Sequence, residues 1–102
     1  MPFSGALILS DKDNVATTLE DIEAGAKVAV RLGGGVTSIE ALVKISFGFK
    51  VAVAGIAKGS HVIKYGESIG IASSNIKCGE LVHIHNLEGG RGRGDLEKGG
   101  AR

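Results

Sequence analysis

Aromatic side chains are scarce in this chain of 102 residues: they make up 4% of it, as three Phe, one Tyr and no Trp. Successive rings on which nucleotide bases would stack are therefore missing. Cysteine occurs once, as Cys78. That excludes an internal disulfide and a CxxC zinc motif, and the thiol reads most simply as a small buried or half-buried residue in a reducing compartment. Proline also occurs once, and neither sign of charge prevails, with 12 Lys and Arg against 11 Asp and Glu. A net charge of +1 gives no general pull toward nucleic acid or an anionic membrane. Long apolar runs are missing too. Phe3 to Leu9 is too short for a signal-peptide core and has no basic flank, and no run nears the roughly 20 residues of a membrane span. The expectation is a soluble cytoplasmic protein of one small domain.

Apolar residues at 43% and charged residues at 23% are ordinary for a globular chain. At this size about two-thirds of the unfolded surface is buried, which leaves room for a partner surface. Glycine is in excess, at 17 residues. Between the glycines, apolar residues alternate at period two in short Val- and Ile-rich pieces. Strands are expected at Ala6–Ser10, Val15–Leu19, Lys27–Leu32, Leu42–Ile45, Lys50–Ala54, His61–Lys64, Ser68–Ser73 and Glu80–Asn86. Helical periodicity is weak, with Ser38–Val43 as the best short stretch and Ser38 as its N-cap. Gly33-Gly34-Gly35 has neither dinucleotide-loop nor phosphate-loop spacing and reads as a loop.

The pattern Ile-x-x-Gly-x-x-Val recurs at Ile22/Gly25/Val28, Ile56/Gly59/Val62 and Ile76/Gly79/Val82. It predicts a strand, a tight turn and a returning strand. The Ile plugs the turn onto the core, the Gly takes a positive φ, and the Val opens the next strand. The uneven spacing excludes a solenoid and suits a compact all-β unit of long, bent hairpins. From Glu88 onward the composition changes, with Gly at six of fifteen positions. That segment holds too little apolar surface to order itself. The division is a domain at 1–88 and a flexible Gly/Arg-rich tail at 89–102.

Three places carry candidate chemistry. In His83-Ile84-His85-Asn86, a strand would put both imidazoles on one face with Ile84 turned inward, half of a divalent metal site or simply a solvated polar face. Lys64-Tyr65-Gly66-Glu67 reads as a turn with a solvated lysine, or as one that offers Lys64 to a carboxylate or phosphate. His61, at the start of a strand, reads as a surface residue. Arg91 and Arg93 are too thin a footprint for nucleic acid but suit a carboxylate clamp. No spacing suggests a Ser/His/Asp set.

The run from Gly59 to Leu87, with Val-Ile-Lys-Tyr-Gly at 62–66 and Val-His-Ile-His-Asn at 82–86, resembles the SAF-type N-terminal domain of the altronate/galactarate dehydratase family. Asp13-Asn14-Val15-Ala16 matches that family's pattern near the first strand, and the likeness runs over roughly residues 5–95. The resemblance implies a β-clip fold and the small subunit of a sugar-acid hydro-lyase. It also implies a separate large catalytic subunit and a divalent metal (Fe2+ or Mn2+, or Mg2+) held jointly with it. It places His83 and His85 near the metal, Lys64 and Tyr65 at the catalytic pocket, and Asn86, Arg91 and Arg93 against the substrate. The chain departs from the family pattern at Gly48-Phe49-Lys50, where Gly-His-Lys is usual. A sulfolactate sulfo-lyase small subunit and a non-enzymatic SAF module binding a carbohydrate or a protein are the alternatives. The isolated chain is expected to be inactive and able to self-associate.

Overall fold

The structure is a computed structural model that describes residues 4–32 and 35–89. The first sheet takes β1 (Ser4–Leu7), β2 (Val15–Thr18), β3 (Lys27–Leu32), β4 (Gly35–Glu40), β5 (Lys50–Ala52) and β8 (Leu81–Val82), in the order β4-β3-β1-β2-β5-β8. The second takes β6 (His61–Lys64), β7 (Glu67–Ala72) and β9 (Leu87–Glu88), in the order β6-β7-β9. Pairing is antiparallel except between β1 and β3, which run parallel. Among the described residues there is no helix, so the all-β expectation holds.

Five local expectations fail. Ser38–Val43 is not helical: Ser38 lies in β4, which pairs with β3 from Lys27↔Glu40 to Leu32↔Gly35. Cross-strand pairing and the β-branched run Val36-Thr37 override a weak N-cap signal. Gly35 accordingly opens a strand instead of lying in a loop, and Leu42–Ile45 is no strand, Ile45 making a single bridge to Ile22. Glu80–Asn86 is broken: β8 ends at Val82 and a turn follows, closed by the Asn86 N–H donating to the His83 carbonyl at 3.0 Å. Cys78 is exposed, because it sits in the third position of a turn whose Ile and Val face inward.

The repeat is what builds the fold, and the structure adds to it. Ile45/Gly48/Val51 is a fourth copy, and a small residue precedes each Ile by four: Thr18, Ala41, Ala52 and Ala72. The four Ile and four Val are all buried, and the glycines have φ of 86, 86, 88 and 94°. Each turn donates its Gly N–H to the small residue of another copy, as Gly25 to Ala41 at 2.7 Å and Gly48 to Thr18 at 3.1 Å. Gly59 bonds Ala72 and Gly79 bonds Ala52 in the same way, both at 2.8 Å. The isoleucines close the clasps: Ile22 with Ile45, and Ile56 with Ile76, exchange both backbone bonds at 2.8 Å. A side chain of this size stabilises by about 1.5–3 kcal/mol when fully buried.

Two cores result. Ala6, Ala16, Val28, Val30 and Val51 pack on one face of the large sheet with Ile22 and Ile45. Val15, Ala52 and Val82 face the other way and pack with Ile56, Val62, Ala72 and Ile76 between the two sheets. Strands β2 and β5 therefore carry apolar side chains on both faces. No helix among the described residues is long and apolar enough to cross a membrane.

Candidate functional site

Lys64 and Tyr65 sit where β6 turns into β7. The hairpin is a two-residue one, with Lys64 paired to Glu67 and both central residues at positive φ, Tyr65 at 57° and Gly66 at 81°. That is the φ signature of a type I′ turn, in which a tyrosine is an uncommon occupant. The conformation is held from outside. Asp13, buried in the loop before β2, accepts the Gly66 N–H at 2.7 Å through Oδ1 and the Leu9 and Ser10 N–H groups at 3.1 and 3.3 Å through Oδ2. Its neighbour Asn14 accepts the Ile63 N–H at 2.7 Å and donates to the His61 carbonyl at 3.0 Å. The Asp13-Asn14 pair thus fastens the hairpin across 47 to 53 residues of sequence. Burial on its own would raise the Asp13 carboxyl, but hydrogen bonds from the Gly66, Leu9, Tyr65 and Ser10 backbones outweigh it and hold the group below its ordinary value.

The Tyr65 hydroxyl lies 3.3 Å from Thr17 Oγ1, and Lys64 Nζ stands 4.9 Å from the centre of the Tyr65 ring. Thr17 is the cross-strand partner of Lys50, which is half-buried. The Lys50 ammonium is pushed below its ordinary value, first by burial and then by the charge of Lys64. Two cations and two hydroxyls therefore gather at one end of the space between the sheets. Lys64 and Tyr65 also line an open concavity of about 680 Å³ with Glu67, Ser68, Ile69 and Gly89. His61 is exposed, as expected, with its Nδ1 2.8 Å from Ser68 Oγ.

The histidines lie elsewhere. The strand geometry expected for them does not form, because residues 83–86 are a turn and Ile84, far from facing inward, is 83% exposed. Asn86, at 4% exposure, shapes this turn: it accepts the His83 N–H at 2.9 Å and donates to the Leu81 carbonyl at 2.9 Å. The His83 ring lies against Phe49, with centroids 4.7 Å apart, while His85 is exposed. Phe49 stands where the family pattern has histidine, so the neighbour of His83 is a phenyl and not a third imidazole. Among the described residues no three His, Cys, Asp or Glu side chains converge as a metal-ligand set. The described residues do not complete a metal site by themselves; they offer two imidazoles from one turn. No hydrogen bond or ring contact among the described residues joins this turn to Lys64 and Tyr65. Arg91 and Arg93, and the tail beyond Gly89, lie outside the described residues.

Sequence reasoning missed two members of this region. Lys50 and Thr17 come together only through the β2–β5 register. The Asp13-Asn14 clamp gave a signal as part of a family motif, but its partner was not readable from spacing.

A small all-β domain built from repeated clasped turns, with a lysine-tyrosine hairpin at one end, is thus the class that fold and site define. The chain belongs to the family of altronate/galactarate dehydratase SAF domains, whose pattern it matches over residues 4–90. It is 40% identical over 77 residues to an altronate dehydratase of Bacillus subtilis, a match covering 76% of this chain and 15% of that protein. The altronate dehydratase of Escherichia coli is 40% identical over 74 residues, covering 72% of this chain and 14% of the relative. The (2R)-sulfolactate sulfo-lyase subunit alpha of Chromohalobacter salexigens is 31% identical over 85 residues, covering 79% of this chain and 90% of that subunit. The chain therefore spans about one-seventh of the altronate dehydratases it resembles.

Proposed function

We propose that this domain is the small component of a sugar-acid hydro-lyase and works with a much larger catalytic unit in the cytoplasm. The carrying observation is the pair of coverages: 15% of an altronate dehydratase, but 90% of a sulfo-lyase subunit. A domain of this kind occurs both within a long lyase chain and as most of a separate subunit.

The reaction class is β-elimination from a hydroxy acid. A proton leaves the carbon next to the carboxylate, hydroxide leaves from the β-carbon, and the enol becomes a 2-keto acid. In this reading Lys64 and Tyr65 border the substrate pocket, and Asn86 holds the turn that presents His83 and His85 to the large unit. Arg91 and Arg93 meet substrate carboxylates. A divalent ion bound with the help of the large unit would stabilise the negative charge that develops on the substrate oxygens.

The second reading, a sulfolactate sulfo-lyase subunit, is favoured by the near-complete coverage of that relative and disfavoured by its lower identity, 31% against 40%. Co-expression with a large lyase subunit, followed by assay against a panel of hexonates and sulfolactate, tests both. Release of a 2-keto acid from a hexonate supports the dehydratase, and release of sulfite supports the alternative. Turnover by the 102-residue chain alone, with metal supplied, would refute the dependence on a partner.

A further inference from the structure

The cationic end of the inter-sheet space is unusual for a domain of nearly neutral charge. Lys50 opens β5, with Thr17 as its neighbour on one side and Val82 on the other. Residues directly opposite in an antiparallel pair point to the same face. Val82 is fully buried in the second core, so the Lys50 stem leaves from the wall of that core and its ammonium emerges at the rim. The Lys64–Tyr65 hairpin folds over the same rim, fixed by the contact between the Tyr65 and Thr17 hydroxyls.

A half-buried lysine keeps its ammonium at the surface, where it can meet an anion. Among the described residues no acidic side chain makes an ion pair with Lys50, and the charge that acts on it is that of a second lysine. Glu67, across the hairpin from Lys64, is the acidic group of the neighbouring concavity. The hydroxyls of Thr17 and Tyr65 can share only one hydrogen with each other, so the second is free to donate to a ligand oxygen.

We propose that Lys50, Lys64, Thr17 and Tyr65 form a carboxylate-binding site that takes a small polyhydroxy acid. The carboxylate meets the two ammonium groups and a hydroxyl at the rim. The hydroxylated body lies in the concavity beside Lys64 and Tyr65. The choice of a hydroxy acid as ligand rests on the hydro-lyase reading, whereas the site itself rests on the geometry of this chain. It makes Lys50 and Thr17 binding residues and gives the domain an affinity for substrate of its own.

The test is a titration of the 102-residue chain with gluconate, followed by calorimetry or amide chemical shifts, with the neutral polyol sorbitol and inorganic sulfate as controls. Gluconate should bind and sorbitol should not. Lys50→Met and, on the exposed hairpin, Lys64→Met should each weaken gluconate about tenfold or more, the scale of one charge-assisted hydrogen bond. The melting temperature of Lys50→Met should be no lower than that of the parent chain, since the change removes a like-charge contact and keeps the apolar stem. Unchanged gluconate binding in both variants, equal binding of sorbitol, or sulfate binding as tight as gluconate would overturn the proposal. The titration needs no lyase partner. A reconstituted enzyme without turnover thus counts against the functional reading, while failure of the parent chain to bind gluconate counts against this site.

Discussion

At the scale of single residues, Asp13 does more for the candidate site than the residues that line it. Its carboxylate receives backbone N–H groups from the loop before β2 and from the hairpin tip, and so joins two distant segments. Asp13→Asn removes the charge and one acceptor oxygen. It should destabilise the chain by about 2–3 kcal/mol, a typical value for hydrogen bonds to a charged group. The effect has a defined pH dependence. The folded carboxyl titrates below its ordinary value, so the unfolded state binds more protons in the interval between the two, and stability rises with pH across it. The Asp13 contribution is complete above the ordinary carboxylate value and is lost as pH falls through the folded one. Urea unfolding of parent and variant should therefore show a gap at pH 7 that narrows as pH falls below the ordinary carboxylate value. A gap that stays constant on acidification would mean that the charge is not what matters.

At the scale of elements, the clasped turn explains both what the sequence revealed and what it hid. Ile, Gly and Val at fixed spacing have one role each, and each role has a local cause, so three copies can be read directly. The fourth, Ile45-Ser46-Phe47-Gly48-Phe49-Lys50-Val51, follows the same spacing. It is obscured by a preceding stretch, Ser38 to Ile45, whose capping and alternation signals point to other structures. The small residue four places before each Ile has no local cause at all, since its backbone is used by a different turn. The same limit hid the Thr17–Lys50 pair and broke the assumption that His83 and His85 share a strand. There the side chain of Asn86 bonds its own backbone neighbours and converts an alternating run into a turn. The turns also differ in how tightly they are packed. A Cβ added at Gly25 meets nothing within 4 Å, whereas one at Gly79 runs into the Glu40 carbonyl oxygen. Gly25→Ala should cost about 1–2 kcal/mol for the left-handed backbone alone, and Gly79→Ala clearly more. Denaturant midpoints that put Gly25→Ala below Gly79→Ala would contradict this ordering.

At the scale of the molecule, the two cores share β2 and β5, and the Gly79 turn is bonded into both halves through Ala52 and Leu42. Neither half can open without exposing apolar side chains of the other. Unfolding should accordingly be a single transition. Val28→Ala in the first core and Val62→Ala in the second should each cost about 2 kcal/mol and shift the same transition. Two separable transitions, or amide exchange protection confined to one core, would show that the halves are independent. The candidate site lies at the margin of this unit, on a hairpin and a strand start, so changes there can alter binding while the cores remain intact.

The clasp also bears on inheritance. Each copy fixes four positions and leaves those between them open to solvent or to chance, so the fold survives wide substitution as long as that sparse frame is kept. Relatives at 40% and 31% identity are within what such a frame tolerates. The residues outside that frame include Phe49, which is only partly covered and lies between the buried Val51 and the turn glycine Gly48. Side chains at the margin can thus change while the clasped architecture beneath them stays the same.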